Sequence, residues 1–226
     1  MMQVIPDVLD AAALAAVRER LARAQWHDGR ETAGYVAVRQ KSNEQLRVQD
    51  EHAIAAGQII LQALSAHARF ISFALPAKIL SPMFNRYRDA GEYGFHIDNA
   101  IRIDPVTSQR IRTDVSTTVF LNDPDSYDGG ELIVNDTYGV ERVKLPAGHA
   151  VVYPGTSLHR VSPVTRGERL ASFFWTQSMV GDDTRRGMLY ELDGAIQSLA
   201  GRAGNDAEVT RLTGVYHNLI RQWAQV

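Results

Sequence analysis

Between residues 78 and 178 the chain consists largely of short runs of Val, Thr, Phe and Tyr, each too brief to make a helix. Candidate strands are FNRYR (84–88), YGFHI (93–97), VSTTVFLN (115–122), ELIVN (131–135), ERVKL (141–145), HAVVYP (149–154), HRVSPV (159–164) and LASFFWTQ (170–177). Turn-forming residues cut them, among them DGG at 128–130 and PAG at 146–148. Short strands at this spacing bury their apolar faces only by closing on one another, which predicts a sandwich or a jelly roll.

The flanks have helical periodicity, so the whole reads as α+β with a mainly β core. Residues 1–77 form a supporting region. Asp10 is placed to cap a helix carrying Leu14, Val17 and Leu21, and Trp26-His27-Asp28-Gly29 is expected to end it in a turn. YVAVRQ (35–40) suits a short strand, and 48–66 a second helix with Ile54, Ile60, Leu61 and Leu64 on its apolar side. Residues 179–226 form a C-terminal helical extension. Asp182 or Asp183 opens one helix with Leu189, Leu192, Ile196 and Leu199 on its apolar side. GRAGN (201–205) breaks it, and a last helix bears Val209, Leu212, Tyr216, Leu219 and Trp223. That stripe must pack on something: the barrel, the substrate entrance, or a second copy in a homo-oligomer.

Composition excludes several function classes. The formal net charge of −2 gives no electrostatic case for nucleic acid or an anionic membrane surface. With no cysteine, disulfides, thiolate zinc sites, iron–sulfur clusters and Cys nucleophiles are ruled out. No apolar run approaches the ~18 residues of a membrane span. The N-terminus lacks a basic leader, so a cytoplasmic location is expected.

Two of the seven histidines stand at strand ends in the β-rich region. His96 is followed two residues later by Asp98, and side chains at i and i+2 of a strand point the same way, with Ile97 facing away. His159 lies far off in sequence but within reach inside a jelly roll. Two His and a carboxylate make the facial triad of non-haem Fe(II) oxygenases, and the same set holds zinc with open positions. Arg169 follows His159 by ten residues and is expected on the neighbouring strand, pointing into the same cavity. A buried guanidinium needs a carboxylate; if the protein does not supply one, a substrate can, and a dicarboxylic keto acid fits. Of the other histidines, His52, His67 and His217 fall on helices, His27 in a turn, and His149 beside a local hydrogen-bond partner.

RYRDAGEYGFHID, FLN, GGEL, PAGHAVVYPG, LHRV and RGERLASFFW together resemble the Fe(II)/2-oxoglutarate-dependent dioxygenase superfamily, prolyl-4-hydroxylase type. DGRETAG, KSNEQL and the helical tail extend the likeness to the bacterial PKHD-type hydroxylases, associated with iron uptake. The resemblance implies a double-stranded β-helix, the cupin-like jelly roll. It implies Fe(II) on His96, Asp98 and His159, and the C5 carboxylate of 2-oxoglutarate on Arg169. It also implies a co-substrate hydrogen bond from Tyr87, which as a core tyrosine has an equally good structural role. L-Ascorbate would restore mis-oxidised iron, and O2 would be spent on a small-molecule or peptidyl substrate. Asp98 favours hydroxylation over halogenation, which usually needs a small residue there.

Other residues are expected to be structural. Gly129 and Gly130 would form a tight hairpin, Glu131 would lie outside the site, and Phe173, Phe174 and Trp175 would pack the barrel, one of them reaching the pocket. Lys41 and Asn43 would sit at a pocket edge or in a solvated loop. Two other classes fit the same ligands: a non-catalytic jelly roll sensing iron or a small carboxylate, and a zinc isomerase or hydrolase.

Overall fold

A computed structural model describes residues 1–32, 40–104, 106–136, 139–203 and 206–225. Two antiparallel sheets face each other. The larger runs β1 (Gln3–Ile5), β14 (Ala150–Pro154), β10 (Val115–Phe120), β17 (Arg169–Ser178), β6 (Met83–Tyr87), β4 (Glu44–Leu46), β2 (Trp26–Asp28), with β5 (Pro76–Ile79) also on β17. The smaller runs β13 (Gly139–Val143), β12 (Leu132–Asp136), β15 (Leu158–Val161), β7 (Glu92–His96), β3 (Lys41–Ser42). Two further pairs complete the set, β8 (Ile101–Ile103) with β9 (Arg110–Arg112), and β11 (Asp128–Gly129) with β16 (Val164–Arg166).

The period of two sorts the long central strands. On β17, Leu170 and Phe174 face the helices, while Arg169, Phe173 and Trp175 face the space between the sheets. On β10, Val115 and Val119 take the helix side and Ser116 and Thr118 the inner side. The larger sheet is therefore apolar on its back and mixed on its front, where a ligand must fit.

Three helices cover the back. Asp10 caps α1 (Ala11–Arg23) by accepting from Ala13 N at 2.7 Å, and Asp50 caps α2 (Glu51–Ser65) by accepting from His52 N and Ala53 N. Val17, Leu21, Ile60 and Leu64 pack there with Phe84, Val152 and Phe174 of the sheet. Ile54, expected on the apolar side, is exposed, because the buried stripe of α2 runs Ala53, Ala56, Gly57, Ile60, Leu64. A short helix, α3 (Ala68–Ala74), was not anticipated; it ends at Leu75 in the left-handed region, and His67 at its start bonds Pro6 O at 3.0 Å.

Several local expectations are corrected. Trp26–Asp28 is not a turn but edge strand β2, where the Arg86 guanidinium lies 4.6 Å from the Trp26 ring centroid. The strand expected at 35–40 falls outside the described residues for 35–39. The strand expected at 159–164 splits, because Ser162-Pro163 carries the chain from the smaller sheet to the β11–β16 pair. His149 bonds locally through its backbone N, to Pro146 O at 3.2 Å, and its ring Nδ1 also accepts from the distant Asp7 N at 3.3 Å.

The extension is α4 (Asp183–Ala203) and α5 (Ala207–Trp223), capped by Asp182 and Asp206. α4 continues through 201–203, so the first part of GRAGN is helical. Leu189 is buried against Leu75 and Val180, with Tyr216, Leu219 and Trp223 packed around them. Buried Arg186 donates to Val180 O at 3.0 Å and pairs with Asp183. The extension thus docks on α3 and the end of β17, and none of its described residues lines the cavity between the sheets.

Asp104 locks the β8–β9 hairpin against the barrel. Its buried carboxylate accepts from the backbone N of Ser81, Val106 and Thr107 at 2.9, 2.8 and 3.2 Å, and from Ser81 Oγ. Asp104→Ala strands these donors and is expected to cost about 2–3 kcal/mol, read as a lower denaturant midpoint at unchanged slope.

Candidate active site

The space between the sheets is a cavity of about 340 Å³. His96 closes β7 and stands directly opposite His159 of β15 in the antiparallel register, with ring centroids 4.2 Å apart. Asp98 lies two residues beyond the strand end, yet still turns inward; its side chain is 6% exposed, whereas Ile97 between them is 58% exposed. The alternation expected from the sequence therefore holds past the last paired residue. His159 Nε2 and Asp98 Oδ1 are 3.9 Å apart, and one ligand atom from each of the three residues lies within 4.8 Å of the others.

The tautomers follow from the backbone. His96 Nδ1 donates to Gly94 O at 2.8 Å and His159 Nδ1 to Ser157 O at 3.0 Å. Carbonyls only accept, so each Nδ1 carries a proton, and the neutral tautomer this selects presents its lone pair at Nε2. Burial first, and His159 second, pull the His96 ring down to about 4, which keeps it in the neutral form that binds a cation. Tyr93 stacks on the His96 ring at 3.7 Å and fixes its plane. Asp98 Oδ2 is buried without a hydrogen-bond partner among the described residues. A buried, unpartnered carboxylate oxygen beside two imidazole lone pairs is a donor set suited to a divalent cation.

Arg169 opens β17 on the opposite sheet. The expectation that it would sit on the strand next to His159 is corrected: β16 intervenes, and the two residues face each other across the cavity. Arg169 is 1% exposed, its guanidinium between the rings of Tyr87 and Phe120 at 5.4 and 5.1 Å. Nε and Nη1 have no hydrogen-bond partner among the described residues. A cation so placed is costly unless an anion enters to meet it.

Tyr87 is the β6 partner of Arg169 in register and lines the same cavity. Its hydroxyl accepts from Asn85 Nδ2 at 3.4 Å, and burial pushes it up to about 12, so it stays a hydrogen-bond donor.

Gly129 and Gly130 form no hairpin. They make the bulged passage from β11 to β12, both with positive φ. A Cβ on Gly130 would lie 2.9 Å from Tyr127 Cε2 and 3.0 Å from Arg169 Cδ, so this glycine makes room for the guanidinium stem. Gly130→Ala is expected to destabilise by about 1–3 kcal/mol and to displace Arg169, read as a lower denaturant midpoint. Glu131 does lie outside, paired with Arg142 at 2.8 Å. Phe174 is core, whereas both Phe173 and Trp175 line the cavity.

Two cationic residues complete the lining. Lys41, expected at a pocket edge, is 6% exposed on β3. Arg102 was not anticipated. Its signal was the inverted pattern of Ile-Arg-Ile in β8, where the isoleucines face outward at 55% and 61% exposure and the arginine inward.

The chain matches the 2OG-Fe(II) oxygenase superfamily over residues 82–177 and the PKHD-type hydroxylase C-terminal domain over 183–225. It is 59% identical over 220 residues to a PKHD-type hydroxylase of Hyphomonas neptunium, covering 97% of both chains. The chain belongs to the PKHD-type hydroxylases. A second member, from Paraburkholderia phymatum, is 55% identical over 221 residues, again covering 97% of both. In fold, this PKHD-type hydroxylase resembles a Pseudomonas putida prolyl-4-hydroxylase, with a TM-score of 0.51 at 24% identity over 78% of this chain and 92% of that one. It also resembles a Trichoplax adhaerens prolyl hydroxylase solved with a hypoxia-inducible-factor peptide fragment, with a TM-score of 0.58 at 13% identity over 83% and 86%. Membership makes it an Fe(II)- and 2-oxoglutarate-dependent hydroxylase on a jelly-roll fold, and decides against the sensor and zinc readings. No helix among the described residues is long and apolar enough to cross a membrane.

Proposed function

We propose that His96, Asp98 and His159 hold the Fe(II), that Arg169 receives the C5 carboxylate of 2-oxoglutarate, and that Tyr87 donates a hydrogen bond to the same co-substrate. The observation that carries this reading is the buried guanidinium of Arg169, two of its nitrogens without a partner, facing the three-residue donor set across one cavity. When bound, iron and 2-oxoglutarate supply the O2-activating chemistry that turns a substrate C–H into C–OH as 2-oxoglutarate becomes succinate and CO2. The chain's own work is positional. The Gly94 and Ser157 carbonyls hold both imidazoles in the ligating tautomer. Arg169 and Tyr87 fix the far end of the co-substrate, and Phe173 and Trp175 form the apolar wall that keeps the reacting centre dry.

The prime substrate is a small molecule or a peptidyl group; the peptide bound by the Trichoplax fold relative supports the second. L-Ascorbate serves as the restoring reductant, and the enzyme works in the cytoplasm, without nucleic acid, in iron uptake or homeostasis. Residues 1–77 support the barrel, 78–178 carry the chemistry and 179–226 extend it, a division supported by family matches at 82–177 and 183–225. Exposed Met188, Leu212 and Val215 on the extension suit a homo-oligomer.

Anaerobic Fe(II) with 2-oxoglutarate is expected to give the weak visible charge-transfer band of a chelated keto acid. Air and substrate should then release succinate. A wild-type protein that binds neither iron nor 2-oxoglutarate refutes the assignment.

A further inference from the structure

Asn85 is a buried amide that the packing of the barrel does not explain. It stands on β6 two residues before Tyr87, lines the same cavity and is 8% exposed. In the sheet it pairs with Ala171 on one side and Gln45 on the other, the next inward-facing row after the pairing of Tyr87 with Arg169. Its Nδ2 donates to the Tyr87 hydroxyl at 3.4 Å, and that is the side chain's one hydrogen bond among the described residues. Oδ1 is buried without a partner among them. A buried amide with half of its polar groups unmet weakens a fold relative to an apolar side chain of the same size. The reason for this residue is therefore sought in the hydroxyl it touches.

A tyrosine hydroxyl has one proton and two lone pairs. To donate to a carboxylate, the proton must point into the cavity. An unsupported hydroxyl turns about its C–O bond and offers an incoming anion a lone pair as readily as the proton. The N–H of Asn85 occupies a lone pair and turns the proton away from itself. Donation into the oxygen also polarises the O–H and strengthens the bond that it gives. Burial raises the Tyr87 hydroxyl, while Arg169 and then Asn43 draw it back, the latter as a nearby donor does, although Asn43 Nδ2 makes no hydrogen bond of ordinary geometry.

We propose that Asn85 is a positioning residue for the co-substrate, holding the Tyr87 hydroxyl proton toward the C5 carboxylate of 2-oxoglutarate. This rests on the assignment of Tyr87 and Arg169 made above. Asn85 touches Tyr87 and acts through it, so its effect is confined to ligands that carry the far carboxylate.

The test compares 2-oxoglutarate with 2-oxobutyrate, which chelates through the same keto-acid end and has no far carboxylate. Each is titrated anaerobically into the full chain loaded with Fe(II), and the visible charge-transfer band reports binding. Tyr87→Phe is expected to weaken 2-oxoglutarate about tenfold, the worth of one hydrogen bond to a charged group. Asn85→Leu should weaken it about three- to tenfold. The double variant should bind within about twofold of Tyr87→Phe alone, because both changes remove one interaction. 2-Oxobutyrate should bind the wild type and all three variants alike, within about twofold. Asn85→Ala repeats the comparison where leucine disturbs the fold. Losses that add in the double variant, or an Asn85 change that weakens both keto acids equally, overturn the proposal and make Asn85 a structural residue. If Tyr87→Phe itself leaves 2-oxoglutarate affinity unchanged, the assignment of Tyr87 falls and this inference with it. If Tyr87→Phe weakens 2-oxoglutarate and the Asn85 variants do not, this inference alone falls.

Discussion

Asp98→Ala is expected to weaken Fe(II) binding by more than the roughly 10–100-fold that loss of a supporting hydrogen bond around a metal costs, and to abolish succinate formation. The reason is both count and charge. Asp98 is the only anion of the donor set, and without it two neutral imidazoles must hold a divalent ion unaided. The metal-free protein should respond in the opposite sense. Asp98 is nearly buried and its Oδ2 has no partner, so removing it relieves a desolvated carboxylate. The metal-free variant is therefore expected to melt no lower than the metal-free wild type. Added Mn(II) or anaerobic Fe(II) should raise the wild-type melting point, by about 2.7 kcal/mol of stability at a hundred times Kd, and leave the variant unmoved. Equal stabilisation of both by metal would remove Asp98 from the donor set.

The donor set was legible because its geometry is local. His96 and Asp98 share a face by strand alternation, and Ile97 is exposed between them as that argument requires. His159 and Arg169 were legible as a spaced pair, but their arrangement was not. Spacing alone suggested neighbouring strands, whereas Pro163 diverts the chain through β16 and brings Arg169 back on the facing sheet. The helices of both flanks were announced by apolar residues recurring at helical spacing and, for the first and fourth, by the capping aspartates Asp10 and Asp182. Hidden elements were those whose pattern tertiary context overrides. Trp26-His27-Asp28 carries turn chemistry at one end and becomes a strand because β4 offers an edge to pair with. Ile101-Arg102-Ile103 is inside out, its arginine turned toward the cavity, so a rule that puts isoleucines inward misplaces it. The GGEL stretch suggests a hairpin because glycine pairs usually make turns; here Gly130 keeps clear a space that a Cβ would crowd against Tyr127, Val164 and the Arg169 stem, at 2.9, 2.9 and 3.0 Å.

Arg169→Met should separate co-substrate binding from metal binding. Methionine keeps much of the apolar stem between Tyr87 and Phe120 and removes the guanidinium. Truncating one partner of a buried charge-assisted pair costs about 2–5 kcal/mol, so the 2-oxoglutarate requirement is expected to rise from about thirtyfold to several thousandfold. Fe(II) affinity should change by no more than about threefold, because the donor set stands across the cavity and shares no ligand atom with Arg169. Arg169→Lys should restore little, since an ammonium cannot reproduce the planar two-pronged contact. Stability without ligand should hold or rise, because the arginine's Nε and Nη1 are buried without partners. Titration of 2-oxoglutarate into the Mn(II)-loaded variants, with melting points recorded alongside, reads all of this at once. Metal and co-substrate lost together would make Arg169 a strut of the barrel. The anchor for the C5 carboxylate would then have to be sought at Lys41 and Arg102, the other cations of the same cavity.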